Sequence, residues 1–107
     1  MLRVYETSLQ LIRALRPVLA QLERHDRSLA EQVRRSVNSV PLHIAEGSFA
    51  RGRNRPAKYQ IGCSEAREAL ACCHAGMAND FIGPLNPEVS ALFREVIGTL
   101  VNNIRRG

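Results

Sequence analysis

Apolar residues recur at spacings of three and four along four successive stretches of the chain, separated by breaks of a few residues. This is the period of a helix that hides one face. In the first stretch, over residues 2–24, Leu2, Tyr5, Leu9, Ile12, Leu15, Leu19 and Leu22 share a face, and Val4, Leu11, Ala14 and Val18 form a second stripe beside it. The two stripes together cover more than half the circumference, whereas a surface helix needs an apolar arc of only about 100°. Pro17 lacks a backbone donor and crowds the preceding turn, which predicts a kink between Arg13 and Pro17.

The second stretch, over 28–48, follows the break Arg24-His25-Asp26-Arg27. Ser28 with Glu31 three residues on has the form of a capping box. Leu29, Val33, Val37, Val40 and Ile44 make the inner face, Pro41 predicts a second kink, and Gly47 is the expected helix stop. The third helix is expected over 55–81, with Asn54 as its cap and Pro56 in its first turn. Its inward residues are Tyr59, Cys63, Ala66, Leu70, Cys73 and Met77, and the small residues Gly62, Ala69, Cys72 and Gly76 alongside let a neighbouring helix come close. The run Ile82-Gly83-Pro84 closes it. Asn86-Pro87-Glu88 is a cap, a first-position proline and a first-turn acid, and opens a fourth helix over 87–105. That helix carries Val89, Leu92, Phe93, Val96, Ile97, Leu100, Val101 and Ile104 over about half its surface.

Helices of this size are about 30–38 Å long, and short connections make neighbours antiparallel. The expected fold is therefore a single all-α domain over 1–107, an up-down-up-down four-helix bundle. The first and last helices have more apolar surface than one chain can cover, so they are expected to carry contacts between copies in a homo-oligomer.

Composition narrows the chemistry. A chain of 107 residues fits one core, and with aromatics at 5% and no Trp that core must be aliphatic. Arg3, Glu6, Arg13 and Arg16 interrupt the first apolar stretch, so neither a leader nor a membrane span is expected. An odd cysteine count, three, argues against a disulfide framework and for a reducing, cytoplasmic setting.

No catalytic residues, no metal and no cofactor are expected. Cys72, Cys73 and His74 are consecutive on a helix and point about 100° apart, so they cannot grip one ion together. His43 and Glu46 stand three apart, in the reverse of the order used by di-metal carboxylate bundles, and Glu65 and Glu68 bring no matching His. Ser36, Ser39 and Ser48 show no His–acid partner at a recognisable spacing.

Charge is the more suggestive feature. The net charge is +5, and Arg51, Arg53, Arg55 and Lys58 cluster in a stretch with no acid between Glu46 and Glu65, while Arg34 and Arg35 add charge on the second helix. Repeated around an oligomer, this patch would become a large positive field. Such a field suits binding of RNA or DNA through the phosphate backbone, without base reading.

The run Arg34-Arg35-Ser36-Val37-Asn38-Ser39-Val40-Pro41-Leu42-His43-Ile44-Ala45-Glu46-Gly47 resembles the four-helix bundle proteins of 23S ribosomal RNA intervening sequences. The motif residues are Pro41, Ile44, Ala45, Glu46 and Gly47, and Tyr59, Ile61 and Glu68 also match, whereas Ser64 and Glu65 depart from the small residues usual there. The resemblance implies a ring-like homopentamer, and relatives that accompany diversity-generating reverse transcriptases and bind nucleic acid through basic surfaces. Within the motif, Glu46 is expected to pair with an Arg near the end of the second helix. The leading expectation is a non-catalytic scaffold that binds nucleic acid through Arg34, Arg35, Arg51, Arg53, Arg55 and Lys58. The alternative is an adaptor that docks an acidic protein partner such as a polymerase or reverse transcriptase.

Overall fold

The computed structural model describes residues 2–106; Met1 and Gly107, at the ends of the expected domain, and the side chain of Leu2 lie outside the described residues. Five helices follow one another: α1 (Leu2–Ala14), α2 (Arg16–His25), α3 (Arg27–Phe49), α4 (Asn54–Ala78) and α5 (Pro87–Arg106). No strand occurs among the described residues. The molecule measures 43 × 24 × 19 Å.

The first expected helix is thus two, interrupted at Leu15. Pro17 has no N–H to give the carbonyl of Arg13, which locates the break. The interruption is slight, because Leu15 keeps φ −81° and ψ −7°. Its N–H reaches Leu11 at 3.0 Å and its carbonyl accepts from Leu19 at 2.8 Å, so the hydrogen-bond ladder resumes at once. Pro41, by contrast, sits buried inside an unbroken α3.

α3 packs along α4, α4 on α5, α5 on α1, and both α1 and α2 on α3. The core between them is aliphatic, with Leu11, Leu15, Leu22, Val33, Val37, Val40, Ile44, Val96 and Leu100 buried around Phe93. The face that α1 turns inward joins residues of the second expected stripe with two hydroxyls. Val4, Thr7, Ser8 and Leu11 are buried, while Tyr5, Leu9 and Ile12 are half-buried at the edge. Two hydroxyls can occupy the core because each bonds within its own helix: Thr7 donates to the carbonyl of Arg3 at 2.9 Å and Ser8 to that of Tyr5 at 2.6 Å.

Three helix ends also differ. α3 is capped by Asp26, whose carboxylate accepts from the Leu29 N–H at 2.9 Å, and not by Ser28. Glu31, the expected partner of Ser28, bonds Arg34 instead. Asn54 lies inside α4 rather than capping it; the start is held by backbone bonds in a turn at Gly52, whose φ is +59°. α4 ends at Ala78, earlier than expected, in a Schellman turn. There the Phe81 N–H reaches the Gly76 carbonyl at 2.9 Å and the Asp80 N–H reaches Met77 at 3.0 Å, with Asp80 at φ +60°. The turn brings Phe81 back over His25, their rings parallel within 4° and 5.2 Å apart. The start of α5 is as expected, with the Asn86 side chain accepting from the Glu88 N–H at 2.8 Å.

Gly47 does not stop α3, which runs on to Phe49. Its role is steric. A Cβ placed on Gly47 would fall 2.6 Å from Cδ1 of Tyr59 and closer still to Cε1, so the Tyr59 ring lies directly on the α3 backbone. Farther along the same contact, a Cβ on Gly62 would meet His43 Cβ at an ordinary 3.5 Å.

Two outcomes follow from this packing. Gly47→Ala should lower unfolding free energy by about 1–3 kcal/mol, since the ring has a rigid core behind it, while Gly62→Ala should not destabilise; urea denaturation of both compares them directly. Asp80→Gly should raise stability by about 1 kcal/mol by relieving the left-handed conformation, seen as a shift in Tm.

Candidate nucleic-acid interface

The six expected basic residues do not form one patch. Arg34 and Arg35 lie on α3 some fifteen residues before its end, which is about 22 Å along the helix from Phe49. Arg34 is committed to the fold: its guanidinium reaches Glu31 at 2.8 Å and Glu23 at 3.1 Å, tying α3 to α2. These bonds, Glu23 first, hold its pKa above the ordinary arginine value, so it stays charged but shielded. Arg35 is exposed, and its charge acts on the Cys72 thiol.

The other four group at the α3–α4 turn, each with a different commitment. Lys58 pairs with Glu46 at 3.7 Å, and His43 lies 4.0 Å from the same carboxylate oxygen. The expected partner of Glu46 is an Arg; Arg51, Arg53 and Arg55 lie past the end of α3, and Lys58 on the first turns of α4 is the cation that pairs with it. Arg55 folds back and donates to the carbonyls of Ala50 and Ser48, both at 3.4 Å, so it satisfies the end of α3 while its charge stays at the surface. Arg51 and Arg53 are exposed and make no ion pair among the described residues. Gly52 between them takes φ +59°, a conformation that costs a glycine little.

Sequence reasoning missed two further arginines. The last turn of α5 lies against α4, and Arg67 and Arg105 line one groove there with Gln60, Ser64, Val101 and Ile104. The return of α5 along α4 brings basic charge to the same half of the molecule as the turn. The signal was the Arg105-Arg106 pair ending the last periodic stretch, which an antiparallel arrangement carries back towards the start of α4. A second stretch of this α4–α5 surface has an apolar floor of Leu70, Phe93 and Ile97 with Arg94 and His74 at its rim.

Phe49 is the other unexpected feature. It is 88% exposed, and the next most exposed large apolar side chains, Leu42 at 64% and Ile61 at 42%, lie on α3 and α4. On α1 and α5, where surplus apolar surface is expected, Tyr5, Ile12, Leu92, Ile97, Val101 and Ile104 pack against the core and stay partly accessible. Tyr59, the second aromatic near the basic cluster, is only 2% exposed.

The polar chemistry outside this region is quiet. The buried Ser36 hydroxyl donates to Glu68 at 2.8 Å across the α3–α4 contact. Among the described residues no three His, Cys, Asp or Glu side chains come together as metal ligands, and no helix is long and apolar enough to cross a membrane. The cysteines are free and buried. Burial, helped by the Glu68 charge and opposed by Arg35, pushes the Cys72 thiol up. Burial, with Cys72 beside it, pushes Cys73 up to about 12.

Comparison with known proteins gives a fold and no activity. No protein-family model matches the chain, and no curated protein matches it either. One solved structure does match: a protein with unknown function from the S23 ribosomal protein family of Bacteroides thetaiotaomicron, at a TM-score of 0.79 and 19% identity. The match covers 95% of this chain and 98% of that one, so the two share their architecture from end to end.

The Cys73 thiol gives a measurable outcome. Its alkylation at pH 8 should be about a hundredfold slower in the folded protein than in urea. Because the folded thiol keeps its proton longer than the unfolded one, its contribution to stability is present below the ordinary value of 9.0 and is lost as pH rises from there towards about 12. Denaturation midpoints measured across that range should fall, and Cys73→Ala should flatten the decline.

Proposed function

We propose that this chain is a non-catalytic, homo-oligomeric scaffold that binds nucleic acid through its phosphate backbone. The observation that carries this reading is the α3–α4 turn, where Arg51 and Arg53 are exposed without ion pairs among the described residues, in a stretch with no acid from Gly47 to Ser64. Arg55 adds a fixed charge at the same place. Cations left unpaired on a rigid support are what phosphate contact needs, since each released counterion favours binding without any base-specific bond.

The contacts of α1 through α5 support an up-down-up-down four-helix bundle in which α1 and α2 act as one rod. We assign it to the family of 23S ribosomal RNA intervening-sequence proteins on two grounds: the Arg34–Gly47 motif, and the shared architecture with a protein described as belonging to the S23 ribosomal protein family. A pentameric ring in the cytoplasm accords with that assignment. Half-buried Tyr5, Leu9 and Ile12 on α1 and Leu92, Ile97 and Val101 on α5 leave apolar surface for neighbouring copies. Gly98 on α5 has nothing within 4 Å of where a Cβ would stand, so a second helix could approach closely there.

A second reading is supported by the α4–α5 groove. Its floor of Leu70, Phe93 and Ile97 under Arg94 and His74 fits an acidic amphipathic segment of a protein partner, such as a polymerase or reverse transcriptase. Such a complex would survive nuclease treatment, and one bridged by nucleic acid would not.

The test measures size and binding together. Light scattering should show a particle several times the 11.9-kDa chain. A fluorescent RNA should bind at low salt and be lost steeply as salt rises. Replacing Arg51 and Arg53 together with Ser should weaken binding at least about tenfold and flatten the salt dependence, whereas Arg34→Ser should leave binding almost unchanged. A lone 12-kDa particle at micromolar concentration, or indifference to RNA at low salt, would overturn the respective half of the proposal.

A further inference from the structure

We infer that Phe49 is a stacking platform for an unpaired base, so that the α3–α4 turn binds single-stranded nucleic acid in preference to duplex. The inference rests on the nucleic-acid reading above and specifies its ligand.

Phe49 ends α3 and is 88% exposed, the largest exposure of any large apolar side chain described. Burying a phenylalanine is ordinarily favourable, and the chain does bury Phe93 and half-bury Phe81. Phe49 does not gain that here. The backbone beneath it is firmly placed: the Ala50 N–H caps the helix on the Gly47 carbonyl at 3.2 Å, and Arg55 donates to the carbonyls of Ser48 and Ala50 on either side of Phe49. The ring therefore stands on a fixed base: Arg55 is bound to the carbonyls flanking Phe49, and the exposed Arg51 and Arg53, without ion pairs among the described residues, follow within four residues of chain.

A flat π-face beside cations that have no acidic partner is the pairing that single strands use. The base stacks on the ring while its flanking phosphates meet the guanidinium groups. A duplex cannot offer a base face without being opened, so it would meet the arginines alone. An apolar protein partner is the weaker fit, because three arginines follow Phe49 within six residues of chain, and Leu42, on the same face of α3, lies about 10 Å away along the helix.

The chain contains no Trp, so Phe49→Trp places a single reporter at the platform. Its emission should be quenched on titration with oligo(dT) or oligo(U), and should not be quenched by inorganic polyphosphate, which carries the charge without bases. In parallel, Phe49→Ala should lose about tenfold or more in affinity for the oligonucleotide and little for polyphosphate, with the oligomer and its Tm unchanged. If the variant binds oligonucleotide as tightly as the parent, or if duplex and single strand bind alike, stacking at Phe49 is refuted while the electrostatic reading stands. If neither polyanion binds the parent protein, both fall. If Phe49→Ala dissociates the oligomer, Phe49 is a contact between copies and the inference is overturned.

Discussion

The contact between α3 and α4 fixes the rest of the molecule, and it turns on one absent side chain. With hydrogen at Gly47, the Tyr59 ring can lie on the α3 backbone, and the two helices start close together immediately after the turn that joins them. Small residues maintain that approach: Gly62 faces the His43 and Val40 backbone level, and Ala66, Ala69 and Cys73 follow in the core. The Ser36 hydroxyl crosses the contact to Glu68 at 2.8 Å. Packing at this distance leaves little room for relaxation. The turn between Phe49 and Asn54 is thus held by rigid helices on both sides, and its arginines are presented on a frame rather than on a loose loop.

The arginines differ in their commitments to the fold. Arg34 is taken up by Glu23 and Glu31 and serves to join α2 to α3; Arg3 meets Glu95 and helps join α1 to α5. Exposed pairs of this kind contribute little to stability, and they also remove those charges from any role towards a ligand. Arg51 and Arg53 have no such commitments, and Arg55 is tied only to carbonyls, which do not neutralise it. A formal net charge says nothing of this difference. It is the local absence of acids, from Gly47 to Ser64, that leaves the charge of the turn unopposed along its own stretch of chain.

Much of the fold was legible because periodicity reports burial directly. The inner residues of α3, Val33, Val37, Val40 and Ile44, are buried as their spacing requires, and the Asn86-Pro87-Glu88 start of α5 behaves as its chemistry dictates. The burial of Thr7 and Ser8 on α1 was not legible because serine and threonine can satisfy themselves on their own helix, so both enter the core although they break the apolar pattern. Ser28 lost the cap to Asp26, two residues earlier and equally suited to it. Gly47 looked like a stop because glycine commonly is one; only the neighbouring helix reveals that its absent side chain matters. At the candidate interface, Arg51 and Arg53 could be read from the missing acids, whereas the separation of Arg34, the nearness of Arg67 to Arg105 and the exposure of Phe49 depend on which helices lie side by side.

The return of α5 along α4 has a practical side. Arg105 lines one groove with Gln60 and Arg67, so the end of α5 lies in the half that holds the basic turn, whereas the stacked His25 and Phe81 close the opposite end. A purification handle or fluorescent passenger joined after Arg106 would hang over the arginines, and an acidic one would compete with whatever they attract. A label carried instead on the α4–α5 connection, at exposed Gly83 or Pro84, would ride at the far pole and leave that surface open.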